Sequence, residues 1–276
     1  MAGVLRRDPM ALLSFINDDS LSGEGVSLGI PRGMMVRRDG SDLAQEGLGL
    51  GTIALRRRGI TCFPTLSRTS TDGPQVSKEF TVDSALVFSS PVLPLSRLMP
   101  LYGLGTRAYM MLPSCQERLL GLRSRMFSWL RVRPELRRTR VMAEAMFTYT
   151  PQHDSVTVRG TVRSLDGPLP KVFVMNELGA DHFSSSVRDG RIGPPPTGWC
   201  RLPDELPSAA LLDEKHGTTF FIDAVEASEG VGTRLFWGRE KREDLCWAGF
   251  ELELWNQKYL TAMSFGYEVR FEEMGR

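Results

Sequence analysis

The chain has 276 residues, 41% of them apolar and 24% charged, and its 34 basic and 33 acidic side chains nearly cancel. That length supports a sizeable core, as one large β domain or two smaller ones, and the composition excludes wholesale disorder. The charge is segregated: eight arginines fall between Arg118 and Arg140, while residues 204–276 carry 15 acidic against 8 basic side chains.

Asp8 followed by Pro9, then Met10, Leu12, Leu13, Phe15 and Ile16, predicts a short capped helix. It belongs to an amino-terminal helical segment, 1–17, placed before a β domain over 18–276; the alternative divides that domain into two β halves near residue 135. From Val26 the hydrophobic period is two. Short strands are expected over 35–38, 52–57 and 60–66, the last pair forming a hairpin about Arg58 and Gly59. A polar loop over 67–75 then leads to a strand in which Phe80, Val82, Ser84, Leu86 and Phe88 share one face.

Residues 91–105 are apolar but broken by Pro91, Pro94 and Pro100, which forbids a helix and spoils a central strand. The segment reads as irregular, buried under the element that follows or exposed as a contact surface. Ser114 with Glu117 forms a capping box, and Leu119, Leu122, Met126, Trp129 and Leu130 recur at helical spacing, so one amphipathic helix is predicted over 114–132. Beyond it, Val141, Ala143, Ala145, Phe147 and Tyr149 pair in a hairpin with Val156, Val158 and Val162.

Further strands are expected over 171–176 and 183–187, and a long Pro/Gly/Ser-rich loop over 190–216. Four strands close the chain, at 218–225, 232–237, 244–255 and 259–272, with Asn256 and Gln257 turning between the last two. The fold class that results is mostly β: an antiparallel β sandwich or barrel with one amphipathic helix and a short amino-terminal helix.

Chemistry is sparse. Cys62, Cys115, Cys200 and Cys246 lie far apart without CxxC spacing, which predicts reduced thiols and neither a zinc knuckle nor a disulfide framework. His153, His182 and His216 lack ligand spacing, no GxSxG elbow or phosphate loop occurs, and no catalytic residue, metal site or cofactor is expected. Glu251 and Glu253 share one strand face, as do Glu268, Arg270 and Glu272 on the strand expected beside it, and this reads as a solvated outer face.

No signal peptide is read at the start, and no stretch reaches the roughly 18 apolar residues that span a bilayer. A soluble, cytoplasmic protein is expected. Arg118, Arg123, Arg125, Arg131, Arg133, Arg137, Arg138 and Arg140 form the one candidate binding cluster, for RNA, another phosphate-bearing surface or an acidic partner. Charge segregation favours oriented self-association or assembly. In outline the chain resembles viral shell and matrix proteins, a fold-level analogy that implies a non-enzymatic homo-oligomer or assembly component with secondary RNA contact. The competing expectation is a lipocalin-like barrel that binds or isomerises a small apolar ligand oriented by His182, Glu177 or Glu144.

Overall fold

A computed structural model describes residues 13–16, 28–38, 41–43, 47–57, 59–92, 122, 125–126, 128–202, 209–215, 217–242 and 245–273. Three strands, β1 (Leu13–Ile16), β2 (Met35–Arg38) and β3 (Ser41–Asp42), form a small antiparallel sheet in that order. The others are β4 (Gly49–Arg57), β5 (Ile60–Asp72), β6 (Gln75–Ser89), β7 (Arg133–Pro151), β8 (Ser155–Ser164), β9 (Lys171–Leu178) and β10 (Ser185–Arg188). They continue with β11 (Arg191–Gly193), β12 (Gly198–Arg201), β13 (Ala209–Asp213), β14 (Thr218–Ala227), β15 (Val231–Arg242), β16 (Leu245–Asn256) and β17 (Ala262–Glu273). Together they make one 14-stranded sheet, ordered β11-β10-β13-β14-β17-β8-β7-β6-β5-β4-β9-β16-β15-β12. Strands from before and after residue 135 are neighbours in it.

The sheet is open, with β11 and β12 as its outer strands, so the closed barrel among the expectations does not form. Its two flanks nevertheless face each other across one core. Phe220 of β14 meets Phe250 of β16 edge-on at 5.1 Å and stacks on Phe271 of β17 at 5.2 Å. Tyr149 of β7 reaches Gly51 of β4, its hydroxyl donating to the Gly51 carbonyl at 3.2 Å. Period-two patterning produces this arrangement, because each strand sends alternate side chains inward: Val172, Val174 and Leu178 from β9, and Phe250, Leu252 and Leu254 from β16, are fully buried.

Two irregularities shape the sheet. In β4, Gly51 is an extra residue between Leu50 and Thr52 in the pairing with β9, and its φ of 76° is open to glycine at little cost. In β7, Arg138 pairs with Ser84 and Ala143 with Val82, so the four residues 139–142 oppose the single Asp83 of β6. Thr139 ties this excursion down by donating its hydroxyl to the Asp83 carbonyl at 2.9 Å.

The β4–β5 hairpin and the β7–β8 hairpin form as expected, with Arg57 opposite Ile60 and Tyr149 opposite Val158. Several expectations are corrected. Leu13–Ile16 is a strand paired with β2 where a short helix was expected. The polar stretch 67–75 is not a loop: β5 runs on to Asp72 and turns through Gly73, since a ribbon with polar, β-branched residues on both faces forms readily in water-exposed sheet. Within 190–216, three short strands replace the expected loop. Residues 93–121, including most of the irregular apolar segment, Cys115 and the first part of the predicted 114–132 helix, lie outside the described residues. Leu122, Arg125, Met126, Ser128 and Trp129 have helical backbone and Leu130 N–H donates to the Met126 carbonyl at 2.9 Å, but no helix is delineated among the described residues. Accordingly no described helix is long and apolar enough to cross a membrane.

Candidate functional site

Buried charge on one face of β4, β9, β16, β15 and β12 marks the candidate site. The other face of these strands faces the core, so the register fixes which side chains share this one. Arg56 stands opposite Lys171, Ala54 opposite Phe173, Phe173 opposite Glu253, Glu253 opposite Arg234, and Glu251 between Met175 and Phe236. Glu177 lies opposite Gly249, one step diagonally from Glu251 on the neighbouring strand, where side chains interact at about 7–8 Å between Cα atoms. Trp247 and Glu240, and then Trp199 of β12, complete the face toward the sheet edge.

Glu253 is buried at 5% side-chain exposure and neutralised twice, by Lys171 Nζ at 2.8 Å and Arg234 Nη1 at 3.5 Å. Arg234 in turn lies 4.3 Å from the Trp255 ring centre, and Arg56 lies 5.1 Å from that of Phe173. Glu251 is in a different position. Burial raises its carboxyl to about 8; Arg56 opposes the shift, and Glu177 and Glu253 reinforce it. Glu177 is raised to about 7, again chiefly by burial, with a hydrogen bond from the Leu48 backbone pulling it down and Glu240 pushing it up. The face thus holds two adjacent carboxyl groups that change protonation around neutral pH, which is what acid–base chemistry requires.

The sequence identified part of this site and misread its setting. Glu251 and Glu253 do share a face, but that face is not solvated outer surface, and Glu268, Arg270 and Glu272 are not beside them. β16 and β17 lie on opposite flanks of the sheet and do not pair; residues 257–261 cross between them. Of the residues expected to orient a small ligand, Glu177 stands on the candidate face. Glu144 lies on the outer face of β7, in an open depression of about 460 Å³ that also takes in Arg68, Glu79 and Arg163. His182 packs in the turn after β9, its backbone N–H donating to the Gly179 carbonyl at 3.1 Å. The signal that was available for Glu177 was its place near the end of a strand whose middle, Val172 to Met175, is apolar.

The arginine cluster is only partly in view. Arg118 and Arg123 lie outside the described residues; Arg125, Arg131, Arg133, Arg137, Arg138 and Arg140 are exposed. Arg140 is ion-paired with Asp166, which also holds Arg57 at 2.6 Å, and Arg137 lies 3.8 Å from Glu135. No group of three or more His, Cys, Asp or Glu residues among the described ones is arranged to hold a metal ion.

No protein-family model and no curated protein matches the chain. Solved structures similar to it include a putative aldose 1-epimerase from Escherichia coli K12, 10% identical over 89% of this chain and 93% of that one, with a TM-score of 0.35. A galactose mutarotase related enzyme from Lactobacillus acidophilus is 8% identical over 95% and 98%, with a TM-score of 0.31. A heparinase III is 6% identical over 89% of this chain, with a TM-score of 0.37, and the chain spans 30% of its length. These neighbours are named for sugar chemistry. None of them is named as a shell, matrix or RNA-binding protein, and the expectation of a self-assembling, non-enzymatic shell or matrix protein with RNA contact is withdrawn; the open sheet removes the lipocalin-like barrel.

Proposed function

We propose that the protein is a carbohydrate-binding enzyme that interconverts the anomers of an aldose, the activity named in two of the structures it resembles. The observation that carries this reading is the pair Glu251 and Glu177, diagonal neighbours on one face, Glu177 buried and Glu251 partly buried, with protonation equilibria near 8 and 7. The alignments themselves add no weight to it.

Anomer exchange moves two protons. A base takes the proton of the anomeric hydroxyl while an acid protonates the ring oxygen; the ring C–O bond opens to the free aldehyde, which rotates and closes by the reverse transfers. At neutral pH Glu251, the weaker acid, holds the proton to be donated, and Glu177 is the more ionised partner that accepts one. Both carboxyls are restored at ring closure, so the reaction needs no external oxidant, reductant or metal. Lys171 and Arg234 pair with Glu253 and hold it in place, and Arg56 limits the charge built up when Glu251 loses its proton.

Polarimetry on freshly dissolved α-D-glucose and α-D-galactose tests this. The wild-type protein should speed the approach to rotational equilibrium, and Glu251→Gln or Glu177→Gln should slow it at least about 100-fold. A wild-type protein that leaves both sugars at the buffer rate would exclude the activity.

A further inference from the structure

The described face extends past the carboxyls to the sheet edge, where Trp199 of β12 stacks on Trp247 of β16 with ring centres 4.0 Å apart and planes inclined by 17°. These two strands are not neighbours; β15 runs between them. The indoles meet over it because Gly238, opposite both Trp199 and Gly249, has no side chain, and a Cβ there would collide with the Gly198 carbonyl. Trp247 is buried at 7% exposure, whereas Trp199 is partly exposed. The inner ring is packing; the outer ring is a flat apolar surface held rigid from below.

Resting on the carbohydrate reading of the same face, we propose that Trp199 is a stacking platform for a second sugar ring, and that the ligand is an equatorially linked oligosaccharide. Three features support it. First, the face parity of β12, β15 and β16 puts Trp199 on the same side as Glu251. Second, two strand spacings across and two residues along separate them by about 12 Å, so a ligand touching both extends beyond one pyranose ring. Third, three cations of the face lie close to its carboxylates: Lys171 and Arg234 are committed to Glu253, and Arg56 lies by Phe173 and acts on Glu251. Arg201, two residues beyond Trp199 on the same face of β12, is exposed beside the platform. Equatorial linkages leave ring C–H bonds along one face, the shape that lies flat on an indole.

Intrinsic tryptophan fluorescence and calorimetry with glucose, cellobiose and cellotetraose test the platform. Affinity should rise at least about tenfold from glucose to cellotetraose, with a change in indole emission. Trp199→Ala should abolish that gain and Trp199→Phe should recover part of it, which separates stacking from damage to the fold. Equal affinity for all three sugars, or a chain-length gain that survives Trp199→Ala, overturns the platform whatever the polarimetry gives. If cellotetraose binds through Trp199 while the wild-type protein leaves hexose anomers at the buffer rate, the platform stands and the anomer-exchange reading falls.

Discussion

Tyr267 donates its hydroxyl to Oδ1 of Asn176 at 2.9 Å, inside the core, and the backbone N–H of Gly51 donates to the same oxygen at 3.0 Å. One amide oxygen therefore joins β17 on one flank of the sheet to β9 and β4 on the other. Burial holds the Tyr267 phenol well above its ordinary range, so it stays a donor at every pH the fold survives. Asn176→Leu leaves two buried donors unsatisfied and should lower stability by about 2–4 kcal/mol, while Tyr267→Phe, removing one donor, should lower it by about 1 kcal/mol. Urea denaturation measures both; an Asn176→Leu protein with an unchanged midpoint would mean that the junction contributes no net stability.

At Gly51 a side chain is excluded twice. Its φ is 76°, and an added Cβ would lie 2.9 Å from the Tyr149 ring. Gly51→Ala is expected to lower stability by about 2–3 kcal/mol, more than the roughly 1 kcal/mol of conformational strain alone. Combining it with Tyr149→Leu should recover part of the loss in a thermal melt. A double variant as unstable as the sum of its parts would show that the ring is not the obstacle.

The pH dependence of stability has a definite sign. Glu251 and Glu177 titrate at about 8 and about 7 in the folded protein, against 4.5 for an ordinary glutamate. Between those values the folded state binds more protons than the unfolded, so their contribution is fully present below pH 4.5 and is lost as pH rises toward 8. Glu251→Gln keeps the neutral shape and removes the titration. The variant should be more stable than wild type at pH 8 by an amount on the order of a few kcal/mol in urea denaturation, and the gap should shrink at pH 5. A gap independent of pH would place the origin elsewhere.

Activity should follow the same two groups from the other side. With one carboxyl required protonated and its neighbour ionised, the rate of anomer exchange is expected to be bell-shaped in pH, with its maximum between about 7 and 8. The limbs belong to the coupled pair and not to either residue singly. Glu177→Gln should flatten the acid limb; a profile with the wild-type acid limb in that variant would remove Glu177 from the reaction.

Asp166 offers a contrast. It is partly exposed and gathers Arg57 from β4 and Arg140 from β7. Solvent screens such pairs, so Asp166→Asn should change stability by no more than about 1 kcal/mol, and the effect should fade in high salt. A larger loss at high salt would point to a packing role for the loop after β8.

Strands whose inward residues are all apolar were legible in the sequence. The β7–β8 hairpin is the clearest case: Ala143, Ala145, Phe147 and Tyr149 face Val156, Val158 and Val162 from the same layer. The run from Phe80 to Phe88 was legible only in part, because the shift at Asp83 resets the alternation, and Leu86 packs with Leu136 beside Phe63 and Phe173 in a second apolar cluster. The Glu251 site was misplaced for a topological reason. Consecutive strands usually pair, yet β16 and β17 separate onto opposite flanks, and the partners of β16, β9 and β15, include one almost 70 residues earlier in the chain. Local pattern identifies the two faces of β16 but not the charged residues that the neighbouring strands add to one of them. Short strands such as β12 and β13, of 4 and 5 residues, carry too few alternations to stand out from proline-rich surroundings.

The excursion of residues 139–142 opposite Asp83 divides β7 into two halves with independent registers. A residue gained or lost there is absorbed by the bend. One gained or lost between Ala143 and Pro151 would exchange the buried Phe147 and Tyr149 with Met146 and Thr148. Over evolutionary time, length changes in this strand are therefore expected to collect at the bend. The arginine-bearing half, Arg133 to Arg138, is held to β6 with Leu136 as its one inward apolar anchor, while the other half is fixed by the core it builds.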